Sequence, residues 1–189
     1  MVKMSYNSRK AAQTLAFFAK QEGGEIHVLK AIKMVYLADR ESVRLRGHTM
    51  HNEPRFSLDH GPINSTTLDH INGAYQENQE VWQQFLEARA GKSPKIGIAV
   101  PDLDDVALDE LSAREMTILQ KVWNEFGHMD RFELAEWTHL NLVEWNDPNG
   151  SRIPISLDHM MAAVGLDHPI ERAREQRSLN AAHDVLAAL

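Results

Sequence analysis

The chain has 189 residues, of which 43% are hydrophobic and 25% are charged, a composition typical of one ordered globular domain. It contains no cysteine, which excludes disulfide frameworks, thiolate metal sites and a cysteine nucleophile and favours a reducing compartment. The sequence has no run of about 18 uncharged apolar residues, and its first residues lack the apolar core of a signal peptide. We therefore expect a cytoplasmic protein without a membrane segment.

Charge is distributed unevenly along the chain. The net charge is −7, but residues 1–50 carry nine basic and four acidic side chains, so residues 51–189 hold a net charge of −12. An acidic balance disfavours general binding to nucleic acid or to a membrane surface. The acidic part of the chain is instead a candidate surface for a basic partner.

The N-terminal third of the chain predicts two helices and a structured loop. Hydrophobic residues with helical spacing follow Asn7, and the pattern ends at Gly23. A longer helix is predicted over residues 28–46, because its apolar residues share one face until Gly47. Residues 47–62 lose this spacing and are punctuated by glycine and proline, so they predict a structured loop with at most a short strand at 55–58.

The rest of the chain adds further helices and a second short strand. Asn64 can cap a third helix that runs to residue 75, and a fourth helix is predicted over residues 79–90. The apolar residues 96–100 predict a strand that pairs with the strand near Phe56. Ser112 begins a capping box with the acid three residues later, and more helices are predicted to begin at Asp130, Ser156 and Pro169. The predicted fold is mainly α, a single domain over residues 1–189 with about seven helices and a small two-stranded β-hairpin.

Ten histidines are the most unusual count in the composition. Four of them end Leu-Asp-His triplets, at positions 60, 70, 159 and 168. Adjacent residues point to different sides of a helix or strand, so the aspartate of a triplet is poorly placed to orient its histidine. We therefore expect structural or surface roles for these histidines. The enzymatic alternative, a metal-dependent hydrolase, requires several of these side chains to converge: His48, His51, His60 and His70.

A second candidate metal site lies on the helix predicted after Asp130. Glu133, Glu136 and His139 recur at three-residue steps, as ligands on metal-site helices can do. The same residues would also supply the solvated face opposite the apolar positions of that helix. The sequence contains no glycine-rich phosphate loop, nucleophile elbow or Cys-His pair. We therefore expect no metal, no cofactor and no catalytic residues.

The helix predicted over residues 28–46 carries Tyr36, Asp39 and Arg40 among apolar neighbours. Such residues usually face the core, where a buried ion pair or hydrogen bond would fix the following loop. Contact with a partner is the alternative interpretation. Residues 60–62 read His-Gly-Pro and predict a chain reversal directly before a helix N-terminus, whose free N–H groups are a candidate partner site.

Several segments together resemble the Panacea antitoxin domain, also called SocA-like. They are Ile-Lys-Met-Val-Tyr-Leu-Ala-Asp-Arg at 32–40, Gly-His-Thr-Met at 47–50, Arg-Phe-Ser-Leu-Asp-His-Gly-Pro-Ile at 55–63, Leu-Ser at 111–112 and Trp-Thr-His at 137–139. The resemblance covers residues 25–145, and residues 150–189 form a predicted C-terminal helical extension. The Tyr-Leu-Ala-Asp-Arg helix and the Gly-Pro turn are its most specific parts.

The resemblance implies an antitoxin of a bacterial or phage toxin-antitoxin system, which binds and silences a toxin encoded by an adjacent gene. Toxins paired with this domain are diverse and include relatives of alarmone synthetases that stop translation. One relative is a proteolytic adaptor that delivers its toxin to a protease, which is the alternative mechanism. The candidate toxin-binding or motif residues are Tyr36, Asp39, Arg40, Arg55, Phe56, His60, Gly61 and Pro62.

The antitoxin hypothesis favours a mechanism in which this protein occludes the active or binding site of the toxin. The loop over residues 47–62, together with the acidic body of the chain, would cover a basic substrate or nucleic-acid site on the toxin, and opposite charge would raise the association rate. Reversing the charges of Asp102, Asp104 and Asp105 together with Arg55 tests the electrostatic part of this hypothesis. Neither nucleic acid nor a membrane is an expected partner.

Overall fold

A computed structural model describes residues 6–75, 79–89, 93–100, 103–104 and 107–187 of the chain. Eight helices lie in these ranges: α1 Ser8–Gln21, α2 Val28–Arg46, α3 Ser65–Ile71, α4 Gln79–Gln83, α5 Ala113–Phe126, α6 Arg131–Asn141, α7 Leu157–Ala163 and α8 Pro169–Ala187. Five short strands accompany them: β1 Glu25–His27, β2 Arg55–Leu58, β3 Gly61–Asn64, β4 Lys95–Gly97 and β5 Ile153–Ile155. The predicted mainly α fold is confirmed, with eight described helices rather than about seven.

Helix α2 is the central element of the core. All its residues from 30 to 39 are buried, and α1, α5, α6 and β3 pack around it. The helix ends at Gly47, which adopts a left-handed conformation at φ 73° and donates its N–H to the Val43 carbonyl. At the start of α1, the Asn7 side chain accepts a hydrogen bond from the Lys10 amide. Both helices therefore begin and end close to the residues that the sequence pattern predicts.

The described strands form two small antiparallel sheets. Strand β1 pairs with β4, and β2 lies between β3 and β5, with Phe56 opposite Ile63 on one side and Pro154 on the other. The predicted pairing of the strand at 96–100 with the strand near Phe56 is therefore wrong. The two-residue turn at 59–60 joins β2 to β3 locally, and β5 occupies the other edge of β2, so no edge of β2 is left for β4.

Helices α3 and α4 are shorter than the sequence predicts. Helix α3 ends at Ile71 rather than at residue 75, and α4 stops at Gln83 rather than at residue 90. Beyond α4, Leu86 forms a bridge with Ile98, and the Glu87 amide donates to the Gly97 carbonyl at 2.9 Å. Strand-like pairing beside β4 thus replaces the last two turns of the predicted helix.

The C-terminal helices begin at their predicted caps. Ser112 and Asp130 each form a capping box at the starts of α5 and α6, Ser156 caps α7, and α8 begins at Pro169. Helices α7 and α8 pack against each other. Of the α8 side chains that the structure describes, those of Ala173 and Gln176 are buried. Within the described residues, every helix is too short or too polar to span a bilayer.

Candidate functional site

Asp39 lies at the centre of a buried polar cluster beneath the loop that follows α2. Its side chain is fully buried. The Oδ1 atom accepts hydrogen bonds from the amides of Met50 at 2.8 Å and His51 at 2.9 Å, and Oδ2 accepts one from Asn64 Nδ2 at 2.9 Å. Because two successive loop amides end on one carboxylate oxygen, Asp39 fixes the path of this loop relative to α2.

His51 is the ionic partner of Asp39. Its Nδ1 lies 3.2 Å from Asp39 Oδ1, and its Nε2 lies 3.0 Å from Thr14 Oγ1. The Thr14 hydroxyl also lies 2.9 Å from the Lys10 carbonyl, to which it can donate. His51 therefore joins α1 to the loop that follows α2.

The electrostatics of this pair agree with the hydrogen-bond pattern. Burial alone would lower the pKa of His51, but the charge of Asp39 and its hydrogen bond raise that pKa above the usual value. Burial would likewise raise the pKa of Asp39, yet the charge and hydrogen bond of His51 lower it. Asp39 thus favours the protonated form of His51, and His51 favours the ionised form of Asp39.

Arg55 and Glu53 extend the cluster toward β2 and α3. Arg55 Nη1 lies 3.6 Å from Asp39 Oδ2. Glu53 is fully buried and accepts hydrogen bonds from Asn64 Nδ2 at 3.1 Å, from the Thr67 amide at 2.7 Å and from the Thr67 hydroxyl at 2.6 Å. Burial raises the pKa of Glu53 despite these donors. The cluster thus joins the loop, β3 and α3 to the central helix.

Tyr36 and Arg40, which with Asp39 form what we call the α2 motif, belong to a second buried polar group. Glu144, which is fully buried, accepts hydrogen bonds through Oε1 from the Tyr36 hydroxyl at 3.1 Å and from Arg40 Nε at 2.7 Å. Burial, followed by the charge of Glu144, raises the pKa of Tyr36 well above its usual value, so the phenol keeps its proton and donates it. Glu144 lies just after α6, and this contact fixes the end of that segment on α2.

The structure therefore gives Tyr36, Asp39 and Arg40 partners inside the protein. Tyr36 and Asp39 are fully buried, as mid-helix residues with apolar neighbours usually are. Arg40 is partly exposed through a side chain that is one-fifth accessible. These contacts join α2 to the loop after it and to the segment after α6, and a direct contact with a toxin stays a prediction.

The turn residues predicted as a partner site lie in two different environments. His60 is exposed in the turn between β2 and β3. Gly61 is buried at φ 94°, and a Cβ atom there would lie 2.5 Å from Thr138 Oγ1. The Pro62 carbonyl accepts a hydrogen bond from Lys33 Nζ at 2.8 Å. The helix predicted after this turn begins at Ser65, as the capping position at Asn64 predicts, and residues 61–64 before it pair with β2 as strand β3.

Phe56 is half-buried in β2, on the side where Arg152 packs. The Arg152 guanidinium lies 5.0 Å from the centroid of the Phe56 ring. Asp104 is exposed and its Oδ1 accepts the Ala107 amide at 2.9 Å. Asp102 and Asp105, the other acids of the proposed electrostatic test, lie outside the described residues.

The candidate metal ligands have structural roles of their own. Glu133 Oε2 accepts the Asp130 amide at 2.9 Å in the capping box of α6. His139 stacks on Trp145 with 4.3 Å between ring centroids, and burial lowers its pKa. His70 packs in a separate aromatic group, where its ring stacks on Trp82. Among the residues that the structure describes, no group of three or more His, Asp or Glu side chains is placed to hold a metal ion.

Sequence patterns do not indicate the roles of three residues of the two buried polar groups. Glu53 and Glu144 are assigned no partner from the sequence, and Asn64 is assigned a capping role that its side chain does not perform. An isolated acid in a loop punctuated by glycine and proline is a weak signal for Glu53. No local pattern indicates Glu144, whose partners lie 104 and 108 residues away.

A comparison with protein families identifies the domain that these residues build. The model described as "Antitoxin SocA-like, Panacea domain" matches residues 32–146, which is more than half of the chain. The matched segment includes the α2 motif, the loop and hairpin that Asp39 organises, and Glu144 close to its end. No curated protein and no solved structure matches the chain. The chain belongs to the Panacea domain family of SocA-like antitoxins.

Proposed function

We propose that this protein is the antitoxin of a two-gene toxin-antitoxin system and that it neutralises the toxin encoded by the adjacent gene through direct binding. The family match over residues 32–146 carries this proposal. Its function is then non-enzymatic, and it needs no cofactor. A translation inhibitor related to alarmone synthetases is one candidate for the toxin.

The buried cluster supports a mechanism in which a preformed surface occludes the toxin. Asp39, His51 and Glu53 find their partners inside the protein, so the loop and hairpin over residues 47–64 are held in one arrangement. A surface that is ordered before binding loses less conformational entropy in the complex. The net charge of −12 over residues 51–189 would favour a basic site on the toxin and speed the encounter.

Coexpression with the adjacent gene tests the proposal. Induction of that gene alone should stop growth, and coexpression of this protein should restore it through a stable stoichiometric complex that survives gel filtration. Failure of the two proteins to form a complex, or absence of toxicity, would contradict the proposal. A purified protein that carries bound metal would instead favour the hydrolase alternative.

The same assay separates direct binding from delivery to a protease. In a strain that lacks the cytosolic ATP-dependent proteases, an antitoxin that acts by occlusion still restores growth and the amount of toxin stays constant. An adaptor restores growth only in the parent strain, where the toxin is degraded. Immunoblotting of the toxin in both strains measures the difference directly.

A further inference from the structure

The outer side of α6 has a concentration of exposed apolar side chains. Phe132 is 61% exposed, Leu140 is 77% exposed, and Val143, just beyond the helix, is 72% exposed. A single exposed apolar residue is ordinary on a protein surface, whereas several near one another commonly mark an interaction site. We call this surface the α6 face and define it by Phe132, Glu133, Glu136, Leu140 and Val143.

Phe132 and Leu140 are the two apolar anchors of the α6 face, by which we mean the side chains that would insert into a partner. Phe132, Glu136 and Leu140 are spaced by four residues and so lie on one side of the helix. At a rise of 1.5 Å per residue, Phe132 and Leu140 are about 12 Å apart along the axis. An open groove of about 370 Å³ runs beside Leu140 and is lined further by Met129, Glu133, Glu136 and Trp137.

The opposite side of α6 holds this surface in place. Leu134, Ala135 and Thr138 are buried. Trp137 packs edge-on against Phe126, with 4.6 Å between ring centroids, and a capping box fixes the start of the helix. The anchors are therefore presented on a rigid support, which lowers the entropic cost of binding.

Charge on and around the α6 face indicates which partner it fits. Residues 130–143 contain three acidic side chains and one arginine, a net charge of −2 with neutral histidines. Arg131 packs its guanidinium over the Phe132 ring at 4.4 Å from the centroid, while Glu136 occupies the position between the two anchors. Opposite charge beside an apolar contact selects a partner with lysine or arginine next to its apolar side chains.

The loop over residues 47–62, which the sequence predicts as the toxin-binding surface, exposes fewer side chains to a partner than the α6 face. In the fully described segment 47–62, the exposed residues are Pro54, Asp59 and His60, and the rest are buried or half-buried. The apolar side chains exposed on α8 lie beyond the family-matched residues, whereas the α6 face lies inside them. The α6 face is therefore the better place for the contact that defines the family's function.

We propose that the toxin binds on the α6 face through a segment in which apolar side chains are flanked by basic residues. This inference rests on the proposed antitoxin function and adds the location and chemistry of the contact. Phe132 and Leu140 would insert into the toxin, and Glu133 and Glu136 would face its basic side chains. The loop and hairpin over residues 47–64 would then be a second part of the occluding surface, and the α6 face would be the principal contact.

Binding of the purified toxin from the adjacent gene to variants of the full chain tests this proposal. Phe132→Glu and Leu140→Glu should each weaken binding by about ten-fold or more, since each places a charge at a buried apolar contact. Leu179→Glu on α8 is the matched control, because Leu179 is 71% exposed, and it should leave the Kd unchanged. Glu136→Lys should slow association and reduce its dependence on salt. Melting temperatures establish that each variant folds, and Leu140→Ser replaces Leu140→Glu if the latter does not.

The outcomes distinguish this inference from the proposed function. If the wild-type protein binds the toxin and the α6 variants bind it equally well, the α6 face is not the contact and the antitoxin function stands. If the wild-type protein does not bind the toxin, the proposed function itself fails. If the free protein is a dimer that Leu140→Glu converts to a monomer, the α6 face belongs to a second copy of the chain and the inference is overturned.

Discussion

Replacing Asp39 with alanine separates a structural role of the α2 motif from a role in contacting the toxin. The substitution removes a buried carboxylate that accepts hydrogen bonds from the Met50 and His51 amides and from Asn64. It also removes the carboxylate that both His51 and Arg55 contact. Neither side chain can turn to water, because those of His51 and Arg55 are 1% and 7% exposed.

The expected loss of stability follows from the removal of this buried carboxylate. Removing one partner of a buried ion pair costs about 3–5 kcal/mol. In a chain of this size, each 1 kcal/mol lowers the melting temperature by about 2–4 °C. Asp39→Ala should therefore lower the melting temperature by about 6–20 °C. Asp39→Asn keeps the shape but removes the charge and turns an N–H toward groups that donate, so it should also destabilise the protein.

Circular dichroism during thermal and urea unfolding measures this loss. Glu125→Ala is the control, because Glu125 is exposed and such substitutions change stability by about 0.5 kcal/mol or less. Toxin binding is measured below the melting temperature of every variant. An Asp39→Ala protein that melts like the wild type but no longer binds the toxin would refute the structural role and make Asp39 a contact residue.

Three further substitutions test other parts of the fold. Burial lowers the pKa of Lys33 from 10.5 to about 7, so between these pH values the unfolded chain holds a proton that the folded protein releases. The stability of the wild-type protein should therefore rise with pH across this interval by up to about 1.4 kcal/mol per pH unit. Urea titrations at neutral and alkaline pH should show a smaller rise in Lys33→Met, and an equal rise would contradict the lowered pKa of Lys33. Gly61→Ala should destabilise the protein by on the order of 2 kcal/mol, and more than Gly24→Ala, because both glycines have positive φ but only at Gly61 would the new Cβ meet Thr138 Oγ1. Ser112→Ala should cost about 1 kcal/mol in urea unfolding through loss of the α5 cap, and an unchanged midpoint would show that the capping box is dispensable.

The helices were predictable where their signals are local. Asn7, Gly47, Ser112 and Asp130 mark ends of α1, α2, α5 and α6 through hydrogen bonds to residues at most four positions away. The strand pairing was not predictable, because the edges of β2 are taken by a neighbouring hairpin strand and by β5, about 100 residues further along the chain. The sequence of β4 indicates a strand but does not identify its partner.

In the candidate site, too, local features were predictable and long-range partners were not. Charged and polar residues inside an apolar helix face indicate that Tyr36 and Asp39 are buried, and the structure places both in the interior. Their hydrogen-bond partners could not be predicted from local sequence, because Glu144 lies 108 residues from Tyr36 and Asn64 lies 25 residues from Asp39. Asn64 occupies the expected N-cap position of α3, but its side chain donates to the carboxylates of Asp39 and Glu53 instead of accepting a hydrogen bond from the helix.

The buried cluster and the α6 face obey different physical constraints. In the interior, Asp39 and Glu144 each accept several hydrogen bonds, so removing either carboxylate leaves buried donors unpaired and lowers stability. On the α6 face, a new side chain meets water in the free protein and changes stability little. The partner can therefore change through the exposed residues while the same interior maintains the fold. Exchanging Phe132 and Leu140 for other apolar or polar residues should alter which toxin is bound without lowering the melting temperature, and a matching fall in stability would show that the two regions are coupled.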